Sequence, residues 1–329
     1  MSAQQKHRGA EAARPYGSPY HVPVLCQAVV EGLVTDPAGC YVDATIGGGG
    51  HAAALLNALA PQGRVIGIDR DPEALEAVRH RLGDAIAAGR LLLVQGNFAD
   101  LETILNRLGV EQIDGVLLDL GVSSHQLDEA LRGFSFQAAG PLDMRMDPTS
   151  PGPTAAQLLE RWSAHELAEV LRRYGEERRA HKLARAICQA RPITTTTELA
   201  EVVRRVVPAR EATKTLARVF QALRIAVNDE LQALERVLVA ATRRVRPGGR
   251  LVVLSYHSLE DRRVKRFLRY GNLAGEPVRD FYGRLLRPWR PLTRRAIRPS
   301  DDEVEANPRA RSARLRIAER IAEAVSETS

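Results

Sequence analysis

Between Val42 and His51 the chain reads Val-Asp-Ala-Thr-Ile, then four consecutive glycines and a histidine. Glycines in that run let a backbone turn adopt positive φ and approach a ligand closely. An apolar stretch precedes the turn and an Ala- and Leu-rich helical pattern follows it. About twenty residues on, Asp69 closes a second apolar run, where a carboxylate can accept hydrogen bonds from ribose hydroxyls. Together these features point to an adenosine-containing cofactor. Asp43 narrows the choice, because a carboxylate ahead of the glycines repels a pyrophosphate but suits the ammonium end of S-adenosylmethionine. His51 is either a ligand contact or a plain helix-start residue. A glycine turn of purely structural use, and a nicotinamide or flavin enzyme, are the competing readings.

Two more apolar runs end in groups suited to the same crevice. After Leu91–Val94 comes Gly-Asn-Phe-Ala-Asp, where Phe98 suits covering an adenine ring as well as ordinary core packing. After Leu117–Leu118 comes Asp119, placed to face the crevice or to cap the turn that follows.

The elements that must position these residues are legible as apolar runs. Cys40–Thr45, Arg64–Asp69, Arg90–Gly96 and Gly115–Gly121 are short, apolar on both faces and bounded by Gly, Asp or Asn, as buried parallel strands are. Asp71-Pro72 is a helix start, with Leu75, Val78 and Leu82 at helical spacing after it. Strand–helix alternation predicts an α/β fold with a doubly wound, Rossmann-like sheet.

The next strand pattern, Gly249–His257, lies too far on for a simple crossover, so a helical domain is inserted between. Ser163 with Glu166, and Thr195 with Glu198, form capping boxes inside it. A long amphipathic pattern from Thr215 through Leu238 reads as the crossover helix that rejoins the sheet. The expected division is a disordered tail at 1–19, a discontinuous sheet domain at 20–127 and 215–329, and an inserted helical domain at 128–214. Arg314–Ile317 alternates like a final edge strand.

Composition narrows the class further. The 329 residues exceed one average domain, and 44% hydrophobic with 26% charged residues is an ordinary globular balance. No apolar run approaches bilayer length, and the first residues lack the apolar core of a secretory signal. Cys26, Cys40 and Cys188 form no paired motif, which suits buried free thiols in a reducing cytoplasm and offers no metal-ligand spacing. The net charge is +7, and its distribution is telling: Arg262–Arg298 holds twelve Lys/Arg against two acids, Glu276 and Asp280. Such a stretch is either a solvated basic face or a contact for RNA phosphates.

The motifs HVPVL (His21–Leu25), DATIGGGGH (Asp43–His51), GIDRDP (Gly67–Pro72), LLDLGVSSHQLD (Leu117–Asp128), RGFSF (Arg132–Phe136), GPLDMRMD (Gly140–Asp147), YGEER (Tyr174–Arg178), SYHSLEDR (Ser255–Arg262) and NPRARSARLR (Asn307–Arg316) resemble those of one family. It is the bacterial 16S rRNA cytosine-N4 methyltransferases, known as RsmH or MraW, and the likeness runs from about residue 20 to 320. The resemblance implies a class I methyltransferase sheet and methylation of one decoding-centre cytidine, conventionally numbered 1402 in the RNA. It also implies S-adenosylmethionine contacts at Gly49, Gly50, His51, Asp69, Phe98, Asp119 and Gln126. The partner implied is 16S rRNA in the small ribosomal subunit, with no membrane involved. A methyltransferase acting on a protein or small molecule would share the cofactor features but not the substrate.

Direct attack by a cytosine amine needs no covalent intermediate, so the cysteines need no nucleophilic role. Many amino-methyltransferases end strand four in Asp/Asn-Pro-Pro-aromatic, whereas this chain has Asp119-Leu-Gly-Val. Asp119 is the candidate acceptor for the amine, and the base-stacking ring must come from elsewhere. Phe134, Phe136, Tyr256 and His257 are the candidates, with core packing as the alternative for each. Arg145 in GPLDMRMD is either a substrate clamp or one half of a structural salt bridge.

Overall fold

The computed structural model describes residues 23–322. The expected tail at 1–19 and the first two residues of HVPVL lie outside the described residues. The chain divides into two compact units: one runs to Gly121 and resumes at Gln232, and the other is Val122–Leu231.

The first unit is built on seven strands: β1 (Cys40–Asp43), β2 (Arg64–Asp69), β3 (Leu91–Gln95), β4 (Ile113–Asp119), β5 (Val245–Ser255), β6 (Trp289–Pro291) and β7 (Arg314–Arg320). Their order is β3-β2-β1-β4-β5-β7-β6. The first five are mutually parallel, while β7 runs antiparallel to β5, and β6 antiparallel to β7. In chain order the helices are α1 (Cys26–Leu33), α2 (Gly50–Ala58), α3 (Pro72–Arg81), α4 (Gly83–Ala87) and α5 (Leu101–Arg107) in this unit. Next come α6 (Ser124–Asp128), α7 (Ala155–Arg161), α8 (Ala164–Gly175), α9 (Ala180–Gln189), α10 (Thr196–Val206) and α11 (Ala209–Asn228) in the second. Then α12 (Glu230–Arg244) carries the chain back to the first unit, followed by α13 (Ser258–Tyr270) and α14 (Asp301–Ala306).

Strand side chains alternate between the two faces of the sheet, so each strand feeds two cores. Val42, Ile66, Ile68, Val116, Leu118, Leu251 and Val253 pack with Leu105 of α5, Val237 of α12 and Phe267 of α13. Tyr41, Val65, Leu117, Val252 and Leu254 pack on the other face with Leu33 of α1, Leu55 of α2 and Val78 of α3. This layering confirms the α/β, Rossmann-like expectation. No described helix is long and apolar enough to cross a membrane. The three cysteines are free but only half-buried.

The sheet differs from expectation at both edges. β3 is an edge strand with Leu92 46% exposed, although its apolar run reads like that of a central one. β7 is flanked by β6, a three-residue strand too short to announce itself. Trp289 anchors β6, fully buried, with Nε1 donating to Thr242 Oγ1 at 2.7 Å.

The second unit has its own apolar core. Leu167 and Leu171 of α8, Leu183 and Ile187 of α9, Leu199 and Val203 of α10 and Leu216, Val219, Phe220 and Leu223 of α11 meet there. Gly175 allows α8 and α11 their close approach, since a Cβ there would stand 2.8 Å from the Arg218 carbonyl. The capping boxes at Ser163/Glu166 and Thr195/Glu198 form as expected, and Thr154/Gln157 adds another. The amphipathic run from Thr215 is not one crossover helix. Asp229, in the left-handed region at φ 52°, ends α11 and separates it from α12. The whole of α11 buries its stripe in the second core, so this unit extends at each end beyond the expected 128–214.

Candidate active site

Parallel strands bring their carboxyl ends to one edge of a sheet, which is where open α/β sheets bind ligands. Here Asp43 ends β1, Asp69 ends β2, Asp119 ends β4 and Tyr256 directly follows β5. Between β1 and α2 the turn is held from its neighbour. Gly47 N donates to Asp69 Oδ2 at 2.8 Å, and Asp71 N donates to Asp69 Oδ1 at 2.9 Å. Burial pushes the Asp69 carboxyl up to about 6, against the pull of those amide bonds. Gly49 takes φ 75° as the N-cap of α2. Gly50 sits so close to Pro23 that a Cβ would stand 3.0 Å from the ring. Their small size is thus explained by local backbone and packing as well as by any ligand.

Asp43, His51, Asp119 and Tyr256 come together. His51, in the first turn of α2 and 4% exposed, places Nε2 3.3 Å from Asp119 Oδ2. Tyr256 donates its hydroxyl to Asp119 Oδ1 at 2.8 Å. The Asp119 backbone N–H donates to Thr45 Oγ1 at 2.6 Å, fixing the strand end from which the carboxylate projects. Burial alone would lower the His51 pKa, but the Asp119 hydrogen bond and charge, the Cys26 thiol and Asp43 together push it up to about 10. That direction favours an imidazolium beside the Asp119 carboxylate. Asp43, 1% exposed, is pushed up to about 7 by burial, with His51 pulling the other way. Its Oδ1 accepts from Thr45 N at 3.3 Å, while its Oδ2 is buried with no hydrogen-bond partner among the described residues.

Tyr256 is aimed by the start of α13. Buried Glu260 accepts through Oε2 from the backbone N–H groups of Tyr256 and His257, at 2.9 and 3.3 Å. His257 caps the helix, with Nδ1 accepting from Glu260 N and Nε2 3.1 Å from Glu260 Oε1. Asp261 accepts from Arg316 Nε at 2.7 Å and Arg314 Nη1 at 3.0 Å, tying α13 to β7. Burial and the attached Asp119 carboxylate hold the Tyr256 phenol well above its ordinary pKa, so it stays a donor. Neither this capping box nor the Tyr256–Asp119 bond was anticipated from sequence. The first was readable in His257-Ser-Leu-Glu260, while the second links residues 137 positions apart and leaves no local signal.

The other predicted residues are placed as follows. Phe98 opens a 3₁₀ turn after β3, half-buried against the first core, with Asn97 capping it. Gln126 lies in the second unit, where its Oε1 accepts from Ser123 N in the capping box of α6. Phe134 is 6% exposed in the second core, and Phe136 meets Phe220 edge-to-face at 5.4 Å. Arg145 makes a two-pronged bond to Asp143, Nε to Oδ1 and Nη2 to Oδ2, each 2.8 Å, and donates to Ser150 O at 2.6 Å. Met144, at φ 64° and fully buried, is locked through its carbonyl by Asn228 Nδ2 at 2.7 Å. GPLDMRMD is thus a laced loop within the second unit.

The site suits a cationic adenosine cofactor on its own chemistry. A buried carboxylate oxygen lacking a donor accepts from an ammonium group, and a carboxylate fixed at the end of β2 accepts from ribose hydroxyls.

Comparison with known proteins bears on the same point. Residues 18–321 match the model of the MraW methylase family. A protein of Sorangium cellulosum named Ribosomal RNA small subunit methyltransferase H is 51% identical over 313 residues, covering 94% of this chain and 93% of that one. The protein of the same name from Thermomicrobium roseum is 51% identical over 314 residues, covering 92% and 94%. Among solved structures, one described as a putative rRNA-methylase from Clostridium thermocellum aligns over 91% of this chain and 94% of its own, at 13% identity and TM-score 0.43.

Proposed function

The chain belongs to the MraW methylase family, and from that premise we propose that it methylates the exocyclic N4 of one cytidine in the decoding centre of 16S rRNA. The substrate in this reading is the small ribosomal subunit in the cytoplasm. Its cofactor, S-adenosylmethionine, supplies when bound a methyl group activated by a sulfonium. Asp43 receives the ammonium end, Asp69 the ribose hydroxyls, and Phe98 a face of the adenine.

The observation that carries the reading is Asp119 at the carboxyl edge of β4 and β5, hydrogen-bonded by Tyr256 and 3.3 Å from His51 Nε2. The N4 lone pair of cytosine is delocalised into its ring, so the amine is a weak nucleophile. As N4 acquires positive character, a carboxylate accepting its N–H stabilises the change, and a fixed carboxylate needs no reorganisation. Asp119 takes that role and the N4 proton. Tyr256 donates to one of its oxygens and His51 stands beside the other. Both are positioning residues. A cytidine in structured RNA has to leave its stack to reach the crevice, and the Tyr256 ring, beside Gly121, lies next to the acceptor.

The test is D119N, which keeps the size of the side chain. The change also removes the charge that faces His51, so the variant's urea midpoint is measured alongside to show that the fold is intact. Methyl transfer to unmodified small subunits should fall while cofactor affinity stays within a few fold. Undiminished turnover would reject the role.

A further inference from the structure

After α13 the chain makes an excursion that is closed at its base. Gly271, left-handed at φ 79°, abuts Pro288, and buried Trp289 then pins the chain into the sheet. Within the excursion residues 278–286 form a tight hairpin. Arg279 and Leu285 pair antiparallel, Leu286 N donates to Val278 O at 2.8 Å, and Asp280 N donates to Arg284 O at 2.9 Å. Asp280 Oδ1 locks the turn by accepting from the N–H groups of Tyr282 and Arg284, at 2.9 and 2.8 Å. At the tip stand Phe281, 98% exposed, and Tyr282, 81% exposed, set edge-to-face at 5.6 Å.

Single exposed apolar side chains are ordinary. Two adjacent aromatics on a turn fixed by four hydrogen bonds are not, because such a turn does not need them for its own stability. Their surroundings indicate what they meet. The Arg284 guanidinium lies 5.9 Å from the Tyr282 ring centroid, and Arg279 donates to Gly283 O at the tip. Arg294, Arg295 and Arg298 follow, exposed and without a carboxylate partner among the described residues. Of the two acids in this stretch, Asp280 is engaged in the turn itself. Rings for stacking, with Arg279 and Arg284 on the same preformed element and further cations downstream in the chain, fit unpaired nucleotides.

We propose that the 278–286 hairpin is a stacking finger that grips unpaired bases of the RNA substrate away from the reacting nucleotide. It rests on the RNA reading above. Thirteen residues of α13, about 20 Å at the helical rise, separate Tyr256 from the base of the finger. The finger is assigned to binding and register rather than to methyl transfer.

The experiment is F281A/Y282A in the full chain, with F281W/Y282W alongside and the wild type as reference. Three quantities are measured: affinity for unmodified small subunits, methyl transfer at saturating subunits, and S-adenosylmethionine affinity. The double alanine variant should bind subunits roughly tenfold more weakly or worse, with the other two quantities unchanged, and the tryptophan pair should restore binding. A photo-crosslinking analogue in place of Phe281 should label 16S rRNA. Wild-type binding by the alanine variant, a loss of cofactor affinity with it, or crosslinking to a ribosomal protein alone would each overturn the finger. If the wild type itself neither binds nor methylates subunits, the finger falls together with the RNA reading. If the wild type methylates normally, only the finger is at stake.

Discussion

Replacing Asp43 by asparagine should remove most of the pH dependence of S-adenosylmethionine binding, and the size of that dependence follows from the burial of the carboxyl. Asp43 is held up at about 7, so without cofactor it is half-protonated near neutrality. A ligand ammonium selects the anion, so binding expels the proton and tightens as the pH rises. For a site that binds only the ionised form, the observed dissociation constant scales as 1 + 10^(pKa − pH), a weakening of about 11-fold at pH 6 and about 1.3-fold at pH 7.5. Asp69, held at about 6, adds roughly a further twofold at pH 6 if the ribose requires its anion. The ligand's own α-amino group, with an ordinary pKa near 8, takes back about 1.3-fold by pH 7.5. Binding by the wild type should therefore be about tenfold tighter at pH 7.5 than at pH 6, and binding by D43N should change by less than about twofold. Titration calorimetry in buffers of different ionisation enthalpy measures both the affinity and the released proton. Equal pH dependence in the two proteins, or a flat wild-type profile, would refute the argument.

Other perturbations have equally definite outcomes. D119N should lower kcat by about 10²- to 10⁴-fold, the range for a positioned acid or base. Y256F removes only the 2.8 Å bond to that carboxylate and should cost about tenfold in kcat, with KM for subunits little changed. An equal fall in cofactor affinity would assign Tyr256 to binding instead. R145A breaks the bidentate contact to Asp143 and should destabilise the protein by about 1–3 kcal/mol at pH 7 in urea unfolding. Burial would raise the Asp143 carboxyl, but Arg145 outweighs it and holds the pKa below the ordinary value. That stabilisation is present above the unfolded pKa of about 4 and is lost as pH falls through the folded one. The wild-type and R145A curves should therefore converge in acid, and a constant gap would contradict the ion pair. W289A empties a fully buried position and should cost about 3–5 kcal/mol, seen as a lower urea midpoint. A change below 1 kcal/mol would mean that β6 is dispensable.

What was legible in the sequence was whatever is encoded locally. The strands carrying Asp43, Asp69 and Asp119 are apolar runs stopped by an acid, and the glycine turn and the Asp71-Pro72 start are contiguous signals. The break at Asp229 was not legible, because Val227, Leu231 and Leu234 keep helical spacing across it and only the backbone of one residue changes. β6 was missed because three residues carry no periodicity. β3 looked central because Leu91–Val94 reads the same whether its outer side is covered or open. Rings are the general difficulty: Phe136 after a turn and Tyr256 after a strand look alike in sequence. Only three-dimensional packing separates one pressed on Phe220 from one bonded to Asp119.

The central claim is tested most directly by transfer of labelled methyl from S-adenosylmethionine to small subunits lacking the modification, followed by nucleoside analysis. The account predicts N4-methylcytidine at a single decoding-centre position with the wild type, and its loss with D119N despite retained cofactor binding. Tight cofactor binding without transfer to the RNA, or methyl on a carbon of the base, would contradict it.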